Sequence, residues 1–242
     1  MMKMRNYLIA LFLLVHGSLF AGQFAVSPIR IEFGANDKSQ AITVSNQGDT
    51  PLRIALELKR WTQDASGNES YTAAPDELIF FPRQFEVPPR QKQVIRLGRK
   101  GIANAQERAY RLYINEQPPL QSDENQGQVA MVVSFGVPIF LRPSPVQTQL
   151  EASPIQIKQQ QLHFELSNTG NTTQRLSRVL IGKTGAEIKQ FDQWYLHPGV
   201  RRAYQLDLPA QACQESRTEI QIETDLQTLR QTIDIPTSAC KN

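Results

Sequence analysis

The sequence predicts an all-β protein made of two immunoglobulin-like β-sandwiches in tandem. Three observations predict this. Short extended segments recur at sandwich spacing through both halves of the chain, turn residues punctuate them, and Arg142-Pro143-Ser144-Pro145 divides the two series as a stiff hinge. Helical periodicity is absent apart from a brief stretch at 101–108, which excludes parallel α/β folds.

In chain order, Lys3 and Arg5 precede an apolar run at 7–15 that is too short to span a bilayer, and a cleavage site follows Ala21. Residues 1–21 read as a signal peptide, leaving 221 residues of the 242. Loss of the two leader cations lowers the formal charge from +3 to +1, which is no footprint for nucleic acid. No other run is long enough for a transmembrane helix. The product is expected to be exported and soluble. The first domain, 22–143, is predicted to carry strands at 24–33, 39–45, 52–61, 77–81, 91–97, 109–116 and 129–141. Asn46-Gln47-Gly48-Asp49, Asp64-Ala65-Ser66-Gly67-Asn68 and Pro88-Pro89-Arg90 turn the chain between them. The second domain, 144–242, is predicted to carry strands at 147–151, 162–167, 176–182, 194–196, 202–208, 217–223 and 229–235. Its turns are Asn168-Thr169-Gly170-Asn171 and Lys183-Thr184-Gly185.

The most informative stretch is 128–143. Val129, Met131, Val133 and Phe135 alternate onto one face of an extended strand, and Ala130, Val132, Ser134 and Gly136 form the other. The interior lacks the charges and prolines that protect an edge strand until Pro138, which removes a ladder donor, so pairing should loosen there and end near Arg142-Pro143. The pattern fits a central strand buried on both faces, and it fits equally a strand lent to a partner.

Catalytic constellations are absent. Ser134 lies in Val-Ser-Phe-Gly, not in a nucleophile elbow, and no glycine-rich loop follows a strand to cradle phosphate. We expect no enzyme activity, no cofactor and no metal: His163 and His197 show no ligand spacing with the cysteines or with each other. In an exported chain, Cys213 and Cys240 are expected to form a disulfide, stabilising the fold by about 3–4 kcal/mol in the chain-entropy model.

Three segments converge. Val26-Ser27-Pro28-Ile29-Arg30-Ile31-Glu32-Phe33 places an arginine in an apolar strand. Glu107 to Pro119 ends in Pro-Pro before a polar loop at 121–128, and the alternating strand closes on Ile139-Phe140-Leu141-Arg142-Pro143. Together they resemble the periplasmic pilus chaperones of the chaperone–usher pathway, over essentially the whole mature chain. The resemblance implies an L-shaped pair of domains with a subunit-binding cleft between them. It implies that Val129, Met131, Val133 and Phe135 complete an unfinished pilus subunit by donor-strand complementation, and that the complex is delivered to an outer-membrane usher. The family anchors the subunit's C-terminal carboxylate with two cations. Arg30 matches the first, through its spacing to Phe33. The second, ordinarily a lysine, is replaced by Pro138, which points to an archaic-like branch, and Arg111 is the expected substitute. Glu107 and Arg142 match an interdomain charge pair. The competing reading is a structural pilus subunit or adhesin made of the same kind of domains.

Overall fold

The structure is a computed structural model describing residues 24–74, 78–101, 103–118, 131–182, 185–188 and 194–240. The predicted signal peptide, the polar loop at 121–128 and Val129 lie outside the described residues. The regular secondary structure of the described residues is almost entirely strand, with no α-helix and two short 3-10 turns, at Ala210–Gln214 and Thr237–Cys240. Of the brief helical signal at 101–108, the described residues 103–107 are irregular chain leading into a strand that starts at Arg108.

The first half holds β1 (Phe24–Ser27), β2 (Ile31–Phe33), β3 (Ser39–Asn46), β4 (Leu52–Gln63), β5 (Glu69–Ala73), β6 (Leu78–Phe81), β7 (Gln84–Val87), β8 (Lys92–Arg99), β9 (Arg108–Glu116) and β10 (Ser134–Leu141). One sheet has the order β1-β3-β8-β6. The other runs β2-β10-β9-β4-β5, with β7 also on β4. The expected single strand at 24–33 is two, because Ser27-Pro28-Ile29-Arg30 carries the chain from the first sheet to the second. There β2 runs parallel to β10, pairing Ile31 with Ile139 and Phe33 with Leu141. The sequence reading also missed β5 and β7.

Alternation explains the core. Ile42 and Val44, Ile54 and Leu58, Ile95 and Leu97, Leu112 and Ile114, and Val137, Ile139 and Leu141 all point between the two sheets and are buried. Full burial of each such side chain is worth about 1.5–3 kcal/mol.

The second half holds β11 (Leu150–Ala152), β12 (Gln156–Lys158), β13 (Gln161–Asn168), β14 (Gln174–Ile181), β15 (Ala186–Ile188), β16 (Tyr195–Leu196), β17 (Arg201–Asp207), β18 (Arg217–Thr224) and β19 (Thr228–Asp234). One sheet is β11-β13-β12 with β17 on β13. Its partner is β15-β14-β18-β19 with β16 on β14. Leu162, Phe164, Leu166, Val179, Ile181, Leu206, Ile220 and Ile222 fill the space between them. Cys213 and Cys240 form a disulfide that joins the two 3-10 turns.

A third, smaller apolar cluster lies between the sandwiches. Trp61, Ala109 and Phe140 share one row on the outer face of the second sheet, since Trp61 registers with Ala109 and Ala109 with Phe140. Tyr195 of the second half packs on this row. An outward-facing row is buried here because the other sandwich covers it.

Candidate functional site

The ladder along β10 changes character at Ile139. From Ile139 to Leu141 the strand has neighbours on both sides; from Ser134 to Pro138 it pairs, among the described residues, with β9 alone. The sequence reading expected pairing to loosen at Pro138 and end near Arg142-Pro143; the ladder does stop at Leu141, but it gains a second neighbour after Pro138, and the free segment lies before Ile139. Backbone alternation shows which groups are open. The Val133 carbonyl accepts from Glu116 N–H, while Arg142 N–H donates to Phe33 on the opposite side. Odd positions therefore serve β9, and Ser134 and Gly136 direct their N–H and C=O groups to the vacant edge. Pro138 falls on this same edge, so its missing N–H costs its own sheet nothing.

The alternating side chains differ in burial. Met131 is 89 % exposed and Phe135 37 %, with Phe135 meeting Phe24 edge-on at 5.1 Å between ring centroids. Val133 instead packs partly against the core of its own sandwich. Val129 is outside the described residues.

The opposite face of β10 carries Gly136, Pro138 and Phe140. Register sets Arg111 directly across from Pro138, and Tyr113 across from Gly136. A cation on β9 thus stands beside the position where a lysine was expected on β10. The Arg111 guanidinium lies over Trp61 at 4.5 Å and Tyr71 at 5.3 Å, an arrangement that holds a planar cation without neutralising it. Its Nε is buried with no hydrogen-bond partner among the described residues.

Arg30 is held differently. It lies over Phe140 at 5.0 Å and Tyr195 at 5.9 Å. It also contacts two carboxylates at 2.6 Å each, Glu32 of its own sandwich and Asp225 of the other. Both arginines therefore border one aromatic group, Trp61, Phe140 and Tyr195, in which Trp61 contacts both of the other rings.

Glu107 and Arg142 lie 2.6 Å apart between the sandwiches, with 1 % and 9 % side-chain exposure. Glu107 also accepts from the Thr172 hydroxyl and from Thr173 N–H, both of the second half. Arg142 donates to Thr172, to the Thr173 carbonyl and to Glu32. Burial alone would lower the Arg142 pKa, but Glu107 and Glu32 more than offset it and raise it. Nearby, the β4–β5 hairpin docks on the second half. Gln63 exchanges hydrogen bonds with Tyr195 and His197, and Arg202 donates to the Gly67 carbonyl. Gly67 has φ +85°, and a Cβ there would strike the Arg202 guanidinium. The Cys213–Cys240 disulfide takes no part in this cluster.

Sequence reasoning missed Glu32, Asp225, Trp61 and Tyr195. A carboxylate two residues after Arg30 was a usable signal for Glu32. Nothing local marks Asp225, which lies 195 residues from Arg30 in the chain.

Fold and site together define a class: two tandem β-sandwiches with a partly unpaired apolar strand beside two arginines, Arg30 and Arg111. The chain belongs to the pilus and flagellar-assembly chaperones, whose PapD N-terminal domain model matches residues 23–147, just over half its length. Among its relatives is the "Probable fimbrial chaperone EcpB" of Klebsiella pneumoniae, 27 % identical over 207 residues, covering 83 % of this chain and 89 % of the relative. The protein of the same name from Escherichia coli is also 27 % identical, over 210 residues with the same coverage. A chain of the CsuC–CsuE chaperone–tip adhesion subunit pre-assembly complex, from the archaic Csu pili of Acinetobacter baumannii, shares the fold. Its TM-score is 0.60 at 19 % identity, covering 87 % of this chain and 98 % of that one. So does a chain of the Salmonella enterica SafA pilin–SafB chaperone complex, with TM-score 0.60 at 16 % identity, covering 90 % and 98 %.

Proposed function

We propose that this protein is a periplasmic chaperone that completes pilus subunits by strand addition and passes them to an outer-membrane usher. The carrying observation is the vacant edge from Ser134 to Pro138. There, unpaired backbone groups lie beside exposed apolar side chains, with two arginines on the cleft side. Strand addition is a known recognition mode for which chaperone–pilin pairs are the standing example, so the mode is carried over from the family and only its fit is read from these residues. A guest strand would bond to Ser134 and Gly136, and its ladder would stop at Pro138. Main-chain bonding is indifferent to guest sequence, which suits a chaperone serving several subunits.

Arg111, stacked and not neutralised, and Arg30, at the end of the vacant edge, would together hold the guest's terminal carboxylate. A guanidinium fork gives two parallel hydrogen bonds to such a group. Pinning the tail matters because a one-residue slip would turn the guest's apolar face outward. The family match favours this over a structural pilus subunit, and the two readings separate by whether the chain is found in isolated fibres. Export, cleavage after Ala21 and delivery to the usher rest on the sequence and on the family.

The direct test is co-expression with a candidate subunit and purification of the complex. Wild type should give a one-to-one complex; Met131→Asp and Arg111→Ala should each lose it while remaining folded. Recovery of an undiminished complex with Met131→Asp would refute the strand assignment.

A further inference from the structure

We infer that Asp225 is an internal stand-in for the guest's terminal carboxylate, occupying Arg30 until a subunit tail displaces it. This rests on the carboxylate-anchor reading above. A carboxylate already stands at each terminal nitrogen of Arg30: Nη1 donates to Asp225 at 2.6 Å, and Nη2 lies 2.6 Å from Glu32 in an ion pair without hydrogen-bond alignment, with Nε buried and unpartnered among the described residues. A third carboxylate on the same guanidinium would face two like charges at close range, so one of the residents must leave.

The structure assigns the departure to Asp225. Glu32 is fixed by a second cation, with Arg142 Nε at 3.0 Å and Nη2 at 2.8 Å, and Arg142 is itself held by Glu107. Besides Arg30, the Asp225 carboxylate accepts from a neutral group, the backbone N–H of Arg175, at 2.8 Å. It also sits in the turn between β18 and β19, where its own N–H donates to the Arg175 carbonyl of β14, so the carboxylate can turn away while the backbone stays tied. Glu32 lies within β2, against β10. The five groups form one alternating chain, Asp225–Arg30–Glu32–Arg142–Glu107, which crosses between the sandwiches at Asp225–Arg30 and, at its other end, through the bonds of Glu107 to Thr172 and Thr173. Exchange at Asp225 unties one crossing and leaves the buried one at Glu107 intact. Tail capture therefore loosens the two sandwiches on the cleft side only.

The test titrates N-acetylglycine and N-acetylglycinamide into the mature protein, following the arginine Nε–H resonances by NMR. Asp225→Asn keeps an acceptor for Arg175, and Asp225→Ser does so with a smaller group should the first variant fold poorly. Asp234→Asn, at an exposed ion pair, controls for a general loss of negative charge. The free acid should bind Asp225→Asn about tenfold more tightly than wild type, with no gain in Asp234→Asn. Equal affinity in Asp225→Asn and wild type, or an equal gain in Asp234→Asn, overturns the stand-in and leaves the anchor reading in place. Failure of every protein to prefer the acid over the amide overturns both.

Discussion

A Cβ placed on Gly136 would lie 2.9 Å from Cδ and 3.2 Å from Cγ of Arg111. The middle of the arginine side chain thus runs across the backbone of the neighbouring strand, and only a glycine leaves room for it. Gly136→Val should push the Arg111 guanidinium off Trp61. Valine suits a strand better than glycine, by up to about 1 kcal/mol, so stability should hold while subunit affinity falls about tenfold or more. Thermal unfolding alongside subunit binding separates the two effects. An unchanged affinity would remove Arg111 from the anchor.

Met131 and Val133 should not behave alike, although they alternate on one face. Met131 is almost wholly exposed, so Met131→Asp should abolish complex formation with little change in stability, within about 0.5 kcal/mol. Val133 packs against its own core, so Val133→Asp should also lower stability, by about 1–3 kcal/mol. Urea denaturation of both variants checks the difference. Equal stability losses would mean that residues 131–133 lie differently from the structure described.

Glu107 accepts from a cation, a hydroxyl and a backbone N–H, two of them from the other sandwich. Glu107→Gln would turn an amide N–H toward other donors and leave Arg142 with Glu32 as its remaining carboxylate. Breaking such a buried pair costs about 3–5 kcal/mol, and Glu32 should hold the loss near the lower end. Urea denaturation gives the cost, and small-angle scattering should show a wider spread of inter-sandwich angles.

His197 is buried against Trp61, with ring centroids 4.4 Å apart. Burial first, and then the charges of Arg111 and Arg202, hold its pKa down to about 3 from an ordinary 6.5. The imidazole is neutral in the fold at pH 7. Between pH 6.5 and 3 the unfolded chain binds a proton that the folded one refuses, so stability falls as pH is lowered through this window. The slope approaches about 1.4 kcal/mol per pH unit, and the effect vanishes above the unfolded pKa. Chemical denaturation at pH 7, 6 and 5 should show the decline in wild type and a flatter profile in His197→Gln. Parallel profiles would mean that His197 titrates normally.

The two sandwiches were legible because strand alternation and turn chemistry are local and repeat every few residues. Ile54 and Leu58, or Leu112 and Ile114, declare their face within their own segment. Short strands such as Gln84–Val87 were not, since four residues without clear alternation carry too little pattern. The sandwich-facing rows of β4 and β9 could be read from sequence; the burial of Trp61 on the opposite row could not.

By itself, the sequence determined the fold class, the likeness to pilus chaperones and the apolar alternation at Met131, Val133 and Phe135. Only the tertiary structure decided that β10 is open from Ser134 to Pro138 and closed beyond. It alone set Arg111 across from Pro138 and brought Asp225 to Arg30. The physical reason is range. Periodicity reports which way a side chain points relative to its own backbone, whereas strand order and ion pairing depend on which distant segment arrives alongside.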